Sequence, residues 1–113
     1  MTKNEPDFVA VLDYLSTEEG GRDAPALSGY RPGLKFEFTL MQTSGQLVFL
    51  DTDIVYPGDS VIAEITMASS SFFNNYLSVG MKFDFREGSK VIGTGEILEI
   101  LNKDLEKMDL DNE

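Results

Sequence analysis

The side chains that could do chemistry in this sequence are few, and none stands in a catalytic arrangement. The 113 residues include no histidine and no cysteine, which removes the commonest general base, the commonest metal ligand and the thiol nucleophile. The serines at 69–71 have no activating partner visible in the sequence. The carboxylate pairs Glu18-Glu19 and Asp51/Asp53 could exchange protons, but such pairs on an acidic chain are usually solvated. The sequence therefore predicts no catalytic residue and no enzyme.

Motifs that bind metals or nucleotides are incomplete. Asp51-Thr52-Asp53 begins like a calcium loop, but Val55 occupies the fifth position and no glycine follows it. Asn102-Lys103-Asp104-Leu105 is similar to the guanine-reading Asn-Lys-x-Asp of GTPases, yet Leu105 replaces the essential aspartate. No Gly-x-x-x-x-Gly-Lys-Ser/Thr phosphate loop occurs. We predict no metal, no cofactor and no GTP binding.

The charge of the chain argues against a nucleic-acid partner. Nine basic and twenty acidic side chains give a net charge of −11, whereas affinity for nucleic acids comes mostly from Lys and Arg that displace counterions from phosphates. So acidic a surface repels that polymer unless its few cations gather on one face. The alternative reading of the charge is that it serves solubility.

Targeting signals are missing from the sequence. Residues 1–6 contain no apolar signal core, and no segment approaches the length of a membrane span. The chain also contains no Asn-x-Ser/Thr glycosylation sequence and no cysteine for disulfides. We expect a cytoplasmic location and no association with membranes.

Hydrophobic alternation of period two runs through nearly the whole chain and predicts six strands. These are residues 8–15, 34–41, 46–50, 61–67, 81–86 and 90–101. Thr43-Ser44-Gly45 is expected to form a hairpin turn, and Pro57-Gly58 suits the centre of a type II turn. Such strands are most naturally closed into a small antiparallel barrel without exposed edges. The alternation places a set of large side chains in its core: Leu34, Phe36, Phe38, Val61, Ile65, Phe83 and Phe85.

The two ends of the chain differ from the barrel segment. We assign residues 1–7 to a flexible N-terminus, 8–101 to the barrel and 102–113 to an acidic tail. In the tail, Leu101, Leu105 and Met108 recur at helical spacing, which indicates about two turns of weakly amphipathic helix. Because so short a helix is marginal alone, it either frays or docks on the barrel or a partner.

Four phrases in a fixed order identify a family that the chain resembles. They are Glu18-Glu19-Gly20-Gly21-Arg22, Gly29-Tyr30-Arg31-Pro32, Tyr56-Pro57-Gly58-Asp59 and Arg86-Glu87-Gly88 followed by Val91-Ile92-Gly93-Thr94-Gly95. This series resembles the C-terminal (third) domain of translation elongation factor Tu. The resemblance implies a six-stranded Greek-key barrel. That domain normally follows a GTPase domain and a second barrel, whereas we expect this chain to be a stand-alone domain.

The resemblance also implies which residues would face tRNA, and several of them are changed. In the family, the third domain grips the T-stem of aminoacyl-tRNA and contacts the exchange factor Ts. The family arginine of Gly-Gly-Arg-His-Thr is kept as Arg22, and the later Glu-Gly pair is kept as Glu87-Gly88. The family histidine is replaced by Asp23, and the glutamine after Tyr-Arg-Pro is replaced by Gly33. The barrel is thus retained while the tRNA surface is degraded.

The retained arginines have a structural and a functional interpretation. Arg22, Arg31 and Arg86 could pair with nearby carboxylates, including Asp23 and Glu87, and so fasten the long first loop over Tyr30. Alternatively they belong to a surface for another protein.

The loop at 68–79 is more aromatic than in the family. There we expect Phe72 to cap the barrel, and Phe73 or Tyr76 to be an exposed anchor beyond a turn at Asn74-Asn75.

Two hypotheses about function follow. The first is a non-enzymatic protein-interaction module that mimics elongation factor Tu toward a protein partner or a toxin that uses this factor. The second is a translation-associated protein that binds tRNA or the ribosome. The acidic charge favours the first. The sequence does not name the partner; the residues predicted to form the interaction surface are Arg22, Asp23, Arg31, Glu87, Gly88, Phe73 and Tyr76.

Overall fold

The alternating strands close into an antiparallel barrel in the computed structural model, which describes residues 5–107. The strands are β1 (Phe8–Tyr14), β2 (Ala26–Leu27), β3 (Gly33–Phe36), β4 (Gln42–Phe49), β5 (Ile54–Val55), β6 (Ser60–Met67), β7 (Lys82–Glu87) and β8 (Lys90–Ile100). Six of them surround the barrel in the order β1–β6–β4–β3–β7–β8, and β2 pairs with β5 in a separate small sheet. Because β7 returns to lie beside β3 in the series β7–β3–β4–β6, this is a Greek key. The predicted fold is confirmed.

Large apolar side chains fill the interior, and glycines on the last strand make room for them. Phe36 and Phe85 are fully buried, and Phe83 is nearly so. Gly93 and Gly95 face inward on β8, where a Cβ atom would overlap the rings of Phe85 and Phe83, respectively. The two glycines are therefore needed because aromatic rings approach them closely, and at Gly93 the backbone oxygen of Asp13 does so as well.

The second predicted strand ends earlier than its alternation indicates. β3 stops at Phe36, the chain turns through residues 37–41, and β4 already begins at Gln42. The predicted hairpin turn at 43–45 lies inside β4, where Gly45 faces inward and a Cβ atom would collide with Leu34. Consequently Phe38 is 43% exposed, and its predicted place in the core is wrong. The pairing of Lys35 with Gln42 fixes the earlier turn.

The predicted turn at Pro57-Gly58 is present, and a second short turn joins β7 to β8. The N–H of Asp59 donates to the carbonyl oxygen of Tyr56 at 3.0 Å, and Gly58 has a φ of 91°. These are the features of a type II turn centred on Pro57-Gly58. Gly88, between β7 and β8, has a φ of 64°, which permits the short reversal there.

Both ends of the described chain are fastened to the barrel. Asp7, which we assigned to a flexible terminus, is fully buried, and its carboxylate accepts hydrogen bonds from the Met67 N–H at 2.7 Å and the Asn102 side chain at 3.0 Å. In the tail, a single 3₁₀ turn (Lys103–Leu105) replaces the expected two-turn helix. Leu105 is fully buried, so this part of the tail docks on the barrel rather than fraying. Met108 lies outside the described residues.

The helical structure of the described residues is limited to short turns. A 3₁₀ turn at Ser70–Phe73 follows β6, and the turn at Lys103–Leu105 follows β8. Within residues 5–107, no helix is long and apolar enough to span a bilayer.

Candidate interaction surfaces

The long first loop is shaped by a compact turn that begins at Ser16. The Ser16 N–H donates to the Glu19 carboxylate at 2.9 Å, and the Glu19 N–H donates to the Ser16 hydroxyl at 3.1 Å. This reciprocal pattern satisfies both donors, as in a capping box. The Gly21 N–H donates to the Ser16 carbonyl oxygen at 2.9 Å. A Cβ atom at Gly21 would overlap the backbone of Leu15, so this position requires glycine. Arg22 follows this turn directly, and its side chain reaches Glu87 at the end of β7.

Arg22, Tyr30 and Glu87 meet in a group that we call the loop cluster. The Arg22 guanidinium forms an ion pair with the Glu87 carboxylate and lies over the Tyr30 ring, 5.1 Å from its centroid. The Tyr30 hydroxyl donates to the same Glu87 oxygen at 2.6 Å. Further Arg22 donors reach the backbone carbonyl oxygens of Ala24 at 3.1 Å and Pro25 at 3.3 Å. The expected fastening of the first loop through Arg22 is therefore present.

The other predicted surface residues are placed differently. Arg86 pairs with Asp84 at 2.6 Å, rather than with a carboxylate of the first loop or with Glu87. Asp23 and Arg31 are exposed, and neither makes a side-chain hydrogen bond or ion pair with another residue of 5–107. Gly88 is exposed in the turn beside Glu87.

The titratable groups of the loop cluster favour a structural role over proton transfer. Burial, followed by the hydrogen bond to Glu87, raises the pKa of Tyr30. Burial also raises the pKa of Tyr14, far above the usual range, and the Tyr14 hydroxyl has no hydrogen-bond partner among the described residues. A phenol is protonated at neutral pH even at the ordinary pKa of about 10, and the raised pKa values extend this protonation to more alkaline pH. Residues 5–107 contain no group of three or more side chains that could hold a metal ion.

The aromatic loop after β6 reverses the predicted roles of two neighbours. Phe73 is only 1% exposed and packs against Phe36 with ring centroids 5.5 Å apart, whereas Phe72 is 67% exposed. The expected cap at Phe72 and the exposed anchor at Phe73 are therefore wrong. The 3₁₀ turn at Ser70–Phe73 directs successive side chains to different sides, so one ring enters the core and its neighbour leaves it. Tyr76 is 55% exposed, as expected for an anchor.

Phe38 joins Tyr76 of this loop at the surface, and we call Phe38 and Tyr76 the aromatic patch. The rings of Phe38 and Tyr76 stack with centroids 5.2 Å apart and planes 10° apart. Phe38 also contacts the buried Phe73 edge to face, at 6.2 Å between centroids. Phe38 was not predicted at the surface, because the hydrophobic alternation of β3 continues in the sequence past Phe36, where the strand ends.

The docked tail holds the aromatic loop in place. The Asn75 N–H donates to the Asp104 carbonyl oxygen at 2.9 Å, and the Leu77 N–H donates to that of Leu105 at 2.8 Å. The Lys107 N–H returns to the Leu77 carbonyl oxygen at 2.7 Å. Asn75 has a φ of 69°, which an asparagine tolerates and which forms the predicted turn. The loop is thus fixed by a segment that follows it by about thirty residues in the chain.

Charge is distributed unevenly around the barrel. The basic side chains within residues 8–101 lie on β3, β7 and β8 or in the first long connection: Arg22, Arg31, Lys35, Lys82, Arg86 and Lys90. Strands β1, β4 and β6 contain no basic residue. The barrel therefore has a face of mixed charge and a face that is acidic only.

The described residues thus form a closed Greek-key barrel whose first long loop is fastened by Arg22, Tyr30 and Glu87. The family model of the elongation factor Tu C-terminal domain matches residues 1–101. The chain belongs to this family, and its fold is that of a translation-factor-like module.

Proposed function

We propose that this chain is a non-enzymatic protein-interaction module that mimics elongation factor Tu toward a protein partner of that factor in the cytoplasm. The proposal rests mainly on one observation: Phe38 and Tyr76 are 43% and 55% exposed, and they stack on each other. Exposed aromatic rings are the side chains that most often anchor protein interfaces.

The aromatic patch suits an interface because it is ordered before any partner arrives. Phe73 and Phe36 support the Phe38 ring from inside the barrel, at 6.2 and 5.9 Å between centroids. Binding through such a patch would cost little side-chain entropy, since the rings are already held. The family barrel supplies the partner class, because its resemblance to elongation factor Tu implies a contact with the exchange factor Ts, while the aromatic patch would add contacts that this chain does not share with that factor.

A competition experiment tests mimicry directly. Elongation factor Tu is immobilised, incubated with cytoplasmic extract, and the retained proteins are measured with and without this chain in solution. We expect the chain to displace at least one protein and to appear in complex with it. Tyr76→Ser should abolish the displacement, whereas Tyr56→Ser should leave it intact, since Tyr56 is equally exposed, at 54%, but lies outside the patch. Displacement that survives Tyr76→Ser, or no displacement at all, would reject the proposal.

Translation-associated binding of tRNA or the ribosome is the second candidate. The gathering of the barrel's basic side chains near β3, β7 and β8 supports it, because an acidic protein needs its cations on one face to bind RNA. Two of the cations are engaged by carboxylates, Arg22 by Glu87 and Arg86 by Asp84, which lowers the charge available to phosphate.

A gel-shift titration separates the two candidates. RNA binding predicts a tRNA shift that weakens steeply with added salt and is lost in a Lys35→Gln/Lys82→Gln variant. The protein-interaction proposal predicts no shift of tRNA at physiological salt.

A further inference from the structure

The outer surface of the barrel away from its cations displays a strip of apolar side chains. Leu50, Ile62 and Val11 form one row across three strands, because the Leu50 N–H donates to the Ile62 carbonyl oxygen at 3.0 Å and Ile62 pairs with Val11. Val48 and Val9 continue the strip in the next row, on β4 and β1. Leu50, Ile62 and Val48 are 48%, 40% and 39% exposed. We call these five residues the apolar strip.

One carboxylate interrupts the second row of the apolar strip, and others border the strip. Glu64 lies between Val48 and Val9 in the strand register, and Glu96 faces Val11 from β8. A shallow groove of about 300 Å³ runs beside Val11 and Ile62 and is lined on its far side by Asp51. Asp13 adds another exposed carboxylate on β1. Since β1, β4 and β6 contain no basic residue, Glu64 and Asp13 have no cation on these three strands, whereas Glu96 on β8 is paired in register with Lys82 of β7.

We infer that the apolar strip is a docking surface for a basic amphipathic segment of a partner protein, such as a helix with one apolar face flanked by Lys and Arg. Apolar side chains of that segment would cover the strip, and its cations would face Glu64 and Asp51. Apolar contact supplies affinity in such a complex, while charge complementarity selects the partner and speeds its approach. This surface is separate from the aromatic patch, so the inference does not depend on the proposed function.

Charge argues against the other possible occupants of the strip. A second copy would bring an equally acidic strip against this one, and like charges brought together across an interface are costly. The headgroups of an anionic membrane would be repelled in the same way. A polyanion such as RNA has no cation to meet on these strands.

Binding of a synthetic probe peptide tests the inference. The probe is a fluorescein-labelled peptide of Leu and Lys about 15 residues long, patterned as an amphipathic helix. Its control is the same pattern with Glu in place of Lys. We expect saturable one-to-one binding of the basic peptide at physiological salt, followed by fluorescence anisotropy, and no binding of the acidic peptide.

A matched pair of variants locates the binding site. Ile62→Lys and Leu40→Lys add the same charge to exposed apolar positions, but only Ile62 lies in the strip; Leu40 is 91% exposed in the turn after β3. We expect Ile62→Lys to weaken binding about tenfold and Leu40→Lys to change it less than about twofold. Val48→Lys, checked for folding by its melting temperature, repeats the test should Ile62→Lys unfold.

Three results would overturn the inference. Equal weakening by Ile62→Lys and Leu40→Lys would mean that the peptide follows net charge rather than the strip. Failure of the basic peptide to bind would show that the apolar strip is not a docking surface for a basic amphipathic segment. A dimer in sedimentation experiments that Ile62→Lys dissociates would assign the strip to a second copy of this chain.

Discussion

The loop cluster and the aromatic patch lie at opposite ends of β3 and β7, and they use their side chains differently. At the end that begins with Gly33, Arg22 and Tyr30 both bind Glu87, so these polar groups are engaged within the fold. At the end beyond Phe36, the rings of Phe38 and Tyr76 remain about half exposed. Apolar rings at an ordered surface are available to a partner in a way that satisfied charges are not.

This difference separates residues that maintain the family fold from residues that are free to bind. The residues of the loop cluster all belong to the phrases that resemble elongation factor Tu, whereas those of the aromatic patch belong to none of them. The residues that carry the resemblance to elongation factor Tu are therefore the ones that fasten the first loop. The surface that we propose for binding depends on the stretches between the phrases.

Replacing Phe73 should produce the largest change, because it removes the internal support of the aromatic patch. Phe73→Ala should lower the free energy of unfolding by about 3–5 kcal/mol, as expected for a ring buried against Phe36. Phe72→Ala, one residue earlier but exposed, should change it by less than about 0.5 kcal/mol. Urea unfolding followed by circular dichroism measures both. Similar losses for the two variants would show that the patch is not built on Phe73.

Asp7 should have the next largest effect, because it anchors the tail that fixes the aromatic loop. Asp7→Ala leaves the buried Met67 N–H and the Asn102 side chain without this acceptor and should cost about 2–3 kcal/mol. Hydrogen exchange at the N–H groups of Asn75 and Leu77 should quicken in the same variant, since their acceptors lie in the tail. Asp51→Ala, at an exposed position, serves as the control. Unchanged hydrogen exchange at these two N–H groups would show that Asp7 and the tail do not fix the aromatic loop.

The loop cluster should affect the pH dependence of the free energy of unfolding, and we expect this effect to be the smallest of the three. Burial and the hydrogen bond to Glu87 raise the pKa of Tyr30 above the ordinary tyrosine value of about 10. The folded state thus favours the protonated phenol, so its contribution to stability is full below about pH 10 and is lost as the pH rises through the folded-state pKa. Glu87→Gln removes the negative charge and should bring that pKa back toward its ordinary value, which flattens the loss.

Absorbance at alkaline pH, where tyrosinate is seen directly, measures this shift. Tyr30→Phe identifies the ionisation that belongs to Tyr30 in the wild type. An ionisation of Tyr30 that is the same in wild type and in Glu87→Gln would contradict the role assigned to Glu87.

The strands were predictable from the sequence because they obey a local rule. Alternation of period two located all six barrel strands. The same rule failed at Phe38, since alternation alone does not say where a strand ends. The end of β3 is set by its pairing with β4, in which Gly45 leaves space for Leu34.

The aromatic loop and the ends of the chain were less predictable because their partners are distant in sequence. Phe72 and Phe73 exchange their expected roles through a 3₁₀ turn that no hydrophobic period marks. Asp7 is buried and bonded to Met67 and Asn102, which lie far from it in the sequence. In the loop cluster, the charges of Arg22 and Glu87 suggested a pair, whereas the hydroxyl of Tyr30 as a second donor to Glu87 needed the structure.

The most direct test of this account compares two double variants for both stability and capture of the partner that the competition experiment identifies. Arg22→Gln/Glu87→Gln alters the loop cluster and should lose about 1–2 kcal/mol of stability while retaining capture. Phe72→Ser/Tyr76→Ser alters the exposed rings and should keep its melting temperature while losing capture. If instead the first variant loses capture at full stability and the second still binds, the binding surface lies at the loop cluster and the account is contradicted.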